Sequence, residues 1–465
     1  MAPKFGTSGL RGLVIELTDE LIAAYTRAFL SACPVGRGVY VGQDLRPSSP
    51  RIAAAVIAAA RGQGVSVVDC GIVPTPALAL ASMAQGAAAI MVTGSHIPAD
   101  RNGLKFYVPD GEISKEDEEA ILSAYQAGIA DLGLTAALTQ FDATPAYIAR
   151  YSDGFGDQAL AGLRVGVYQH SAVSRDVMVD VVAALGGVAV PLARSEVFVP
   201  VDTEAVDQDT RNMLRDWCTE HRLDAVISTD GDADRPMVTD SAGRVIPGDI
   251  LGVLTARLIG AKVIATPVSS NSMLQQIEEF DRVELTRIGS PYVIAAMEAA
   301  LAMDSTAQVT GFEPNGGFLV GFAAQGLAGP IAPLMTRDSI LPIVAPLAAA
   351  RAAGQGIADL VAGLPPRFTA ADRVTETPTD ASAALLARLM ADTSACAAFF
   401  AEDGEIAQIN LTDGLRVLLA SGRIVHLRPS GNAPEFRVYA EAEDEDTAWH
   451  LVRSYMAKVR QALIG

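Results

Sequence analysis

Short apolar runs rich in Val and Ile alternate with Ala-rich stretches of helical length through most of this chain, and no other feature limits its fold so strongly. That alternation is the signature of βα units, which build a mostly parallel sheet covered by helices. Three of the strand-like runs end in unusual loops. Residues 87–96 end in Thr-Gly-Ser-His, residues 223–235 in Asp-Gly-Asp-Ala-Asp-Arg, and residues 307–317 in Gly-Phe-Glu-Pro-Asn-Gly-Gly. Open α/β sheets bind ligands at the carboxyl ends of their strands, so three similar units are expected to aim three loops into one cleft.

A chain of 465 residues is too long for one core, and half of it is hydrophobic, enough for several. Boundaries are expected at turn-rich stretches: Asp-Ala-Thr-Pro at 142–145, Asp-Ser-Ala-Gly at 240–243 and Leu-Pro-Pro-Arg at 364–367. The expected units are therefore 1–142, 143–243, 244–366 and 367–465. The last one, with a helix-like 380–392, strands near 415–427 and a terminal amphipathic helix from about 444, is expected to be a smaller α+β domain.

A formal charge of −19 argues against nucleic acid and against an anionic membrane surface as partners. A phosphorylated substrate would then need a locally basic pocket. The cysteines at 33, 70, 218 and 396 have neither metal-site nor disulfide-framework spacing, which points to a reducing cytoplasm. No signal peptide is expected, since Lys4 and Arg11 flank a Gly-rich turn and not an apolar core. Residues 70–99 are uncharged and long enough to span a bilayer, but Pro74, Pro76, Gln85, Gly86 and Gly94 divide them into loop, helix, turn and buried strand.

Asp230, Asp232 and Asp234 put three carboxylates on one short loop with only Gly and Ala between them. Like charges this close repel by roughly 1 to 4 kcal/mol per pair near a protein surface, so the loop is either a solvated acidic turn or a cation site. Oxygen-only ligands favour a hard ion such as Mg²⁺. An EF-hand starting at Asp230 would want Gly and Glu where Arg235 and Ser241 stand.

Ser95 follows a buried strand on a Gly-containing turn that can present its hydroxyl to a cleft. Thr93 and Ile97 occupy the glycine positions of a nucleophile elbow, which disfavours acyl transfer. Lys105, ten residues on, is either a proton carrier or a surface lysine. Arg428 and Arg437, with Ser430, Gly431 and Asn432, offer guanidinium, hydroxyl, amide and backbone N–H donors that suit a phosphate dianion. Glu313 and Asn315 offer a carboxylate and an amide for vicinal sugar hydroxyls, and Arg11 sits on a Gly-rich amino-terminal turn.

Taken in order, these motifs resemble the α-D-phosphohexomutase family, which includes phosphomannomutase and phosphoglucomutase. Phe-Gly-Thr-Ser-Gly-Leu-Arg-Gly at 5–12 is similar to its amino-terminal motif, and residues 93–98 with 102–105 to its phosphoserine loop. Residues 230–235, 311–317 and 428–439 are similar to its metal, sugar and phosphate loops. The resemblance implies four domains around a central cleft, three related mixed α/β domains and a smaller α+β one with an antiparallel sheet.

It also implies roles. Ser95 carries the phosphoryl group and joins Asp230, Asp232 and Asp234 around Mg²⁺. Arg11 and Arg235 face the reacting phosphate, His96 and Lys105 are the proton-transfer candidates, Glu313 and Asn315 hold the sugar, and Arg428, Ser430, Gly431, Asn432 and Arg437 anchor the other phosphate. Three positions depart from the family pattern: Ile97 replaces Asn, Asn315 stands where many members have Ser, and Gly317 where many have His.

The implied reaction interconverts hexose 1-phosphate and hexose 6-phosphate, of mannose and also glucose, through a 1,6-bisphosphate that also serves as activator, in a monomer or homodimer. Phosphoglucosamine mutase, an aspartyl-phosphate phosphatase or mutase using Asp230, and an inert sugar-phosphate sensor are the alternatives.

Overall fold

A computed structural model describes residues 3–6, 9–429 and 435–464. Its first three sheets repeat one plan. In the first, Leu138–Gln140, Val67–Ile72, Val39–Gln43 and Ala88–Val92 run parallel, and Arg101–Val108 returns antiparallel against Ala88–Val92. Val188–Arg194, Arg164–His170 and Ala225–Thr229 form the parallel part of the second, with Pro236–Thr239 returning antiparallel. The third places Arg282–Thr286, Val263–Pro267 and Val309–Phe312 parallel, followed by antiparallel Phe318–Val320 and Leu334–Asp338.

The three loops marked in the sequence thus occupy equivalent places. Each leaves the carboxyl end of the last parallel strand and connects it to an antiparallel neighbour. The return is antiparallel for a steric reason: a loop of a few residues can reverse the chain but cannot make the long crossover that parallel pairing needs.

One continuous apolar core runs from Leu78 and Tyr151 through Val182 and Leu251 to Leu347, joining the first three units. Tyr147 and Tyr151, on the helix Thr144–Phe155, tie that core to the third sheet by donating to Asp338 at 2.7 and 2.6 Å. The uncharged 70–99 stretch resolves into the helix Thr75–Ala84 and the fully buried strand Ala88–Val92. Among the described residues no single helix is long and apolar enough to cross a membrane.

The last unit is an antiparallel sheet in the order Phe368–Val374, Phe436–Ala442, Ile424–Pro429, Leu415–Leu419, Ile406–Asn410. Its helices include Thr379–Ala391, where 380–392 was expected, and the terminal Glu445–Ile464. Its core, from Ala370 to Val459, is separate from the large one. The link to the third unit includes polar bonds: Ser272 N to Glu441 at 3.0 Å, Ile288 N to Asp413 at 2.8 Å and Asn271 Nδ2 to the Arg367 carbonyl at 3.0 Å.

Candidate active site

The serine loop is held from below by a buried ion pair. Asp44 Oδ2 accepts from Thr93 Oγ1 at 2.8 Å and from Arg46 Nε at 3.0 Å, and Thr93 Oγ1 in turn accepts from Ser95 N at 2.7 Å. Arg46, 1% exposed, donates to the carbonyls of Ser95 (2.7 Å), Ile97 (2.6 Å), Pro98 (2.7 Å) and Arg101 (2.9 Å), and its guanidinium lies over the Phe198 ring at 4.1 Å. A Cβ on Gly94 would stand 2.5 Å from Arg46 Cζ, so only glycine lets the loop settle on this clamp. Ser95 itself has φ 53°, left-handed backbone that costs a non-glycine residue on the order of 1 kcal/mol and is sustained by those bonds.

Sequence reasoning missed Asp44 and Arg46. The signal was two charges just past a buried strand, on the strand that pairs with the one feeding Ser95.

The aspartate loop faces this serine. Ser95 Oγ donates to Asp230 Oδ2 at 2.6 Å. Asp230 Oδ1 accepts from the backbone N–H groups of Asp234 and Arg235 at 3.2 and 3.3 Å. Asp232 Oδ2 accepts from Thr75 Oγ1 (2.7 Å) and Lys105 Nζ (2.6 Å), while Asp234 Oδ2 accepts from Lys105 Nζ (2.5 Å) and Arg337 Nη2 (2.7 Å). Lys105 is thus buried against the loop as the counter-ion of two of its carboxylates.

Burial and the neighbouring charges of Asp232 and Asp234 push the Asp230 carboxyl well above its usual range. Burial alone would raise Asp234 too, but Arg337, Lys105 and Arg235 hold it below. Arg235 Nε lies 3.8 Å from Asp234 Oδ1. Arg11, lowered to about 10 by burial against the pull of Asp232, packs across Gly103, where a Cβ would meet its Nη1 at 2.7 Å. His96 Nδ1 is 3.5 Å from Ser95 Oγ, and burial together with the Arg235 charge lowers the imidazole to about 3, leaving it neutral at physiological pH.

Glu313 and Asn315 are both buried on the third loop. Asn315 Oδ1 accepts from Gly317 N at 3.0 Å and shapes the turn, and Glu313 Oε1 accepts from Arg337 Nη1 at 3.3 Å. On the last sheet Arg428 stands directly opposite Arg437 across the antiparallel pair. Arg428 Nε donates to Asp413 Oδ1 at 3.0 Å, whereas Arg437 Nε is buried without a hydrogen-bond partner among the described residues. Ser430, Gly431 and Asn432 lie outside the described residues.

Comparison with known proteins matches this layout to a family. The models for phosphoglucomutase/phosphomannomutase α/β/α domain I, α/β/α domain III and the C-terminal domain match residues 2–131, 247–368 and 373–458. A phosphomannomutase of Sinorhizobium fredii (strain NBRC 101917 / NGR234) is 45% identical over 100% of both chains, and one of Salmonella muenchen 41% identical over 99% of this chain and 96% of its own. The chain belongs to the phosphoglucomutase/phosphomannomutase family.

A phosphoglucosamine mutase of Paracoccus denitrificans is more distant, at 29% identity over 98% of this chain and 99% of its own. The family fold is visible in a phosphoglucomutase/phosphomannomutase family protein from Burkholderia thailandensis, with TM-score 0.75, 22% identity, and coverage of 98% of this chain and 97% of that one. An Aspergillus fumigatus N-acetylphosphoglucosamine mutase, solved with GlcNAc-6P and magnesium, has TM-score 0.55 at 14% identity, covering 100% and 96% of the two chains.

The aspartates of this family member fit a metal ion by their own chemistry. One oxygen from each of Asp230, Asp232 and Asp234 lies within 4.8 Å of the others. Among the described residues Asp232 Oδ1 and Asp234 Oδ1 are buried with no hydrogen-bond donor, a costly state that a cation would relieve. All three donors are hard carboxylate oxygens, which suit a hard divalent cation.

Proposed function

We propose that this protein interconverts hexose 1-phosphates and hexose 6-phosphates, mannose and glucose among them, using phospho-Ser95 and a hexose 1,6-bisphosphate intermediate. The observation that carries this reading is the contact of Ser95 Oγ with Asp230, inside an acidic cluster that also holds Lys105. A serine so placed can carry a phosphoryl group next to a bound cation. Asp230 accepts a hydrogen bond from that serine and from two backbone N–H groups, which suits a metal ligand better than an aspartyl nucleophile.

In the first transfer a free hydroxyl of the sugar monophosphate attacks phosphorus, the bond to Ser95 Oγ breaks, and the hydroxyl proton ends on Oγ. Bisphosphate forms and free serine is left. After the intermediate turns over, Ser95 Oγ attacks its other phosphate, and the regenerated sugar hydroxyl takes the proton back. Asp230, Asp232 and Asp234 would hold Mg²⁺, which offsets charge on the transferring group. Arg11 and Arg235 supply fixed positive charge beside the reacting phosphate, and Lys105 and neutral His96 are the groups placed to carry the proton. Glu313 and Asn315 hold ring hydroxyls, while Arg428 and Arg437, with Ser430, Gly431 and Asn432, anchor the idle phosphate.

We assign the four units to residues 1–142, 143–243, 244–366 and 367–465, and the separate core of the last supports its moving as a body to admit and turn the ligand. Four unpaired cysteines support a cytoplasmic setting. Turnover on mannose 1-phosphate, glucose 1-phosphate and glucosamine 1-phosphate, with Mg²⁺ and glucose 1,6-bisphosphate, tests the reading. The expected order puts mannose or glucose first. Absence of turnover on all three would overturn it.

A further inference from the structure

Arg337 was given no role by the sequence, yet it is the one described side chain that bonds both the metal loop and the sugar loop. It lies at 3% exposure on the strand Leu334–Asp338. Its Nε and Nη2 donate to Asp234 Oδ2 at 3.1 and 2.7 Å, and its Nη1 donates to Glu313 Oε1 at 3.3 Å. The backbone beneath it is pinned by its neighbours: Asp338 accepts from Tyr147 and Tyr151, and Ser339 Oγ donates to the Ala233 carbonyl at 2.7 Å.

The shape of the sugar loop depends on the same side chain. A Cβ on Gly317 would lie 2.6 Å from Arg337 Cδ, 2.8 Å from its Cγ and 3.1 Å from its Cβ. A larger residue at 317 and the arginine in this pose exclude one another. Two carboxylates buried this close need a shared cation, and a planar guanidinium with several fixed donors can pair with both at once where a lysine ammonium acts as a single point charge.

We propose that Arg337 is a positioning residue that registers sugar recognition to phosphoryl transfer, with Gly317 as the glycine that makes room for it. It acts through its partners: the pairing with Glu313 fixes the carboxylate that reads ring hydroxyls, and the pairing with Asp234 fixes the loop facing Ser95. Discrimination between sugars that differ in the orientation of one hydroxyl then depends on a residue that reaches the sugar only through Glu313. This rests on the mutase reading above.

The test compares wild type, Arg337→Lys, Arg337→Ala, Gly317→Ala and the double variant Arg337→Ala/Gly317→Ala. One readout is kcat/KM for mannose 1-phosphate against glucose 1-phosphate. A second is calorimetric binding of each sugar phosphate to the Ser95→Ala forms in chelator, which is free of any metal requirement. Arg337→Lys and Gly317→Ala are each expected to reduce the preference between the two sugars at least fivefold in turnover and in binding. Alanine at 317 is expected to weaken binding at least tenfold beside Arg337 but less than threefold in the Arg337→Ala background, since the clash has gone.

If Arg337→Lys does not fold, Gly317→Ala, which displaces the arginine without deleting it, carries the same comparison. Unchanged sugar preference in a folded single variant, or an equal cost of alanine at 317 in both backgrounds, would overturn the proposal. Absence of turnover by wild type would instead overturn the mutase reading, and the chelator titrations would still decide whether Arg337 governs sugar binding.

Discussion

Ser95 Oγ lies 2.6 Å from Asp230 Oδ2 although 135 residues separate them in the chain. The contact joins equivalent loops of two repeated units. Gly231 allows the approach, because a Cβ there would come within 3.0 Å of the Ser95 carbonyl. Ser95→Ala is expected to remove protein-bound phosphate and to lower kcat by at least about a thousandfold, as for loss of a nucleophile. Intact-protein mass spectrometry and turnover check this; a variant that keeps both would refute the assignment.

Asp232→Asn removes a charge from the reacting centre while leaving Thr75 and Lys105 with an amide oxygen to bond. Phosphoryl transfer is expected to fall by roughly a hundred- to a thousandfold, and sugar-phosphate binding by less than about threefold. Equal losses in the two would mark the loop as merely structural.

Arg46 is the buried clamp under the serine loop, and removing it leaves Asp44 as a buried carboxylate without its cation. Arg46→Met is expected to cost about 3 to 5 kcal/mol of stability. Arg46→Lys keeps the charge but lacks the planar fork that reaches four carbonyls, so it should fold and still lose much of kcat. Urea unfolding midpoints beside kcat distinguish the two. A lysine variant with full kcat would show that the clamp does not position the serine.

Burial lowers His170 and His426 from an ordinary 6.5 to about 4 each, against the hydrogen bonds they make to the carbonyls of Thr229 and Asp413. The folded protein therefore binds fewer protons than the unfolded chain in that interval. The stability involved is fully present above about 6.5 and is lost as pH falls through about 4, some 3 kcal/mol per histidine to order of magnitude.

Asp249, raised by burial to about 6 from 3.8, works in the opposite sense, since its contribution is present below its ordinary value and lost as pH rises through about 6. Thermal unfolding between about pH 4 and 7 should show stability rising with pH. His170→Gln should flatten that rise and Asp249→Asn should steepen it. An unaltered slope in both variants would contradict the two assignments.

How much was legible before the fold was known depended on whether a residue's chemistry was local. Three carboxylates on one loop, a serine at a strand end and two arginines close together announce themselves by spacing. Arg337 does not: it sits inside an ordinary strand, and its partners are 103 and 24 residues away. Lys105 stands out as a cation ten residues past Ser95, but spacing leaves open whether it is a proton carrier or a surface lysine, because its pairing with Asp232 spans 127 residues. The loops were legible as strand ends, but that each returns antiparallel was not, since pairing direction depends on a strand distant from the loop's own residues.

The sequence by itself determined the repeated α/β plan, the loops that carry chemistry and the kinds of group on them, because hydrophobic period and loop composition are properties of neighbouring residues. Only the tertiary structure decided which of those groups touch. A buried charge takes whichever partner the packed sheets bring within about 3 Å, and that distance is set by the stacking of whole units, with Arg46 under Ser95 and Arg337 between Asp234 and Glu313 as the result.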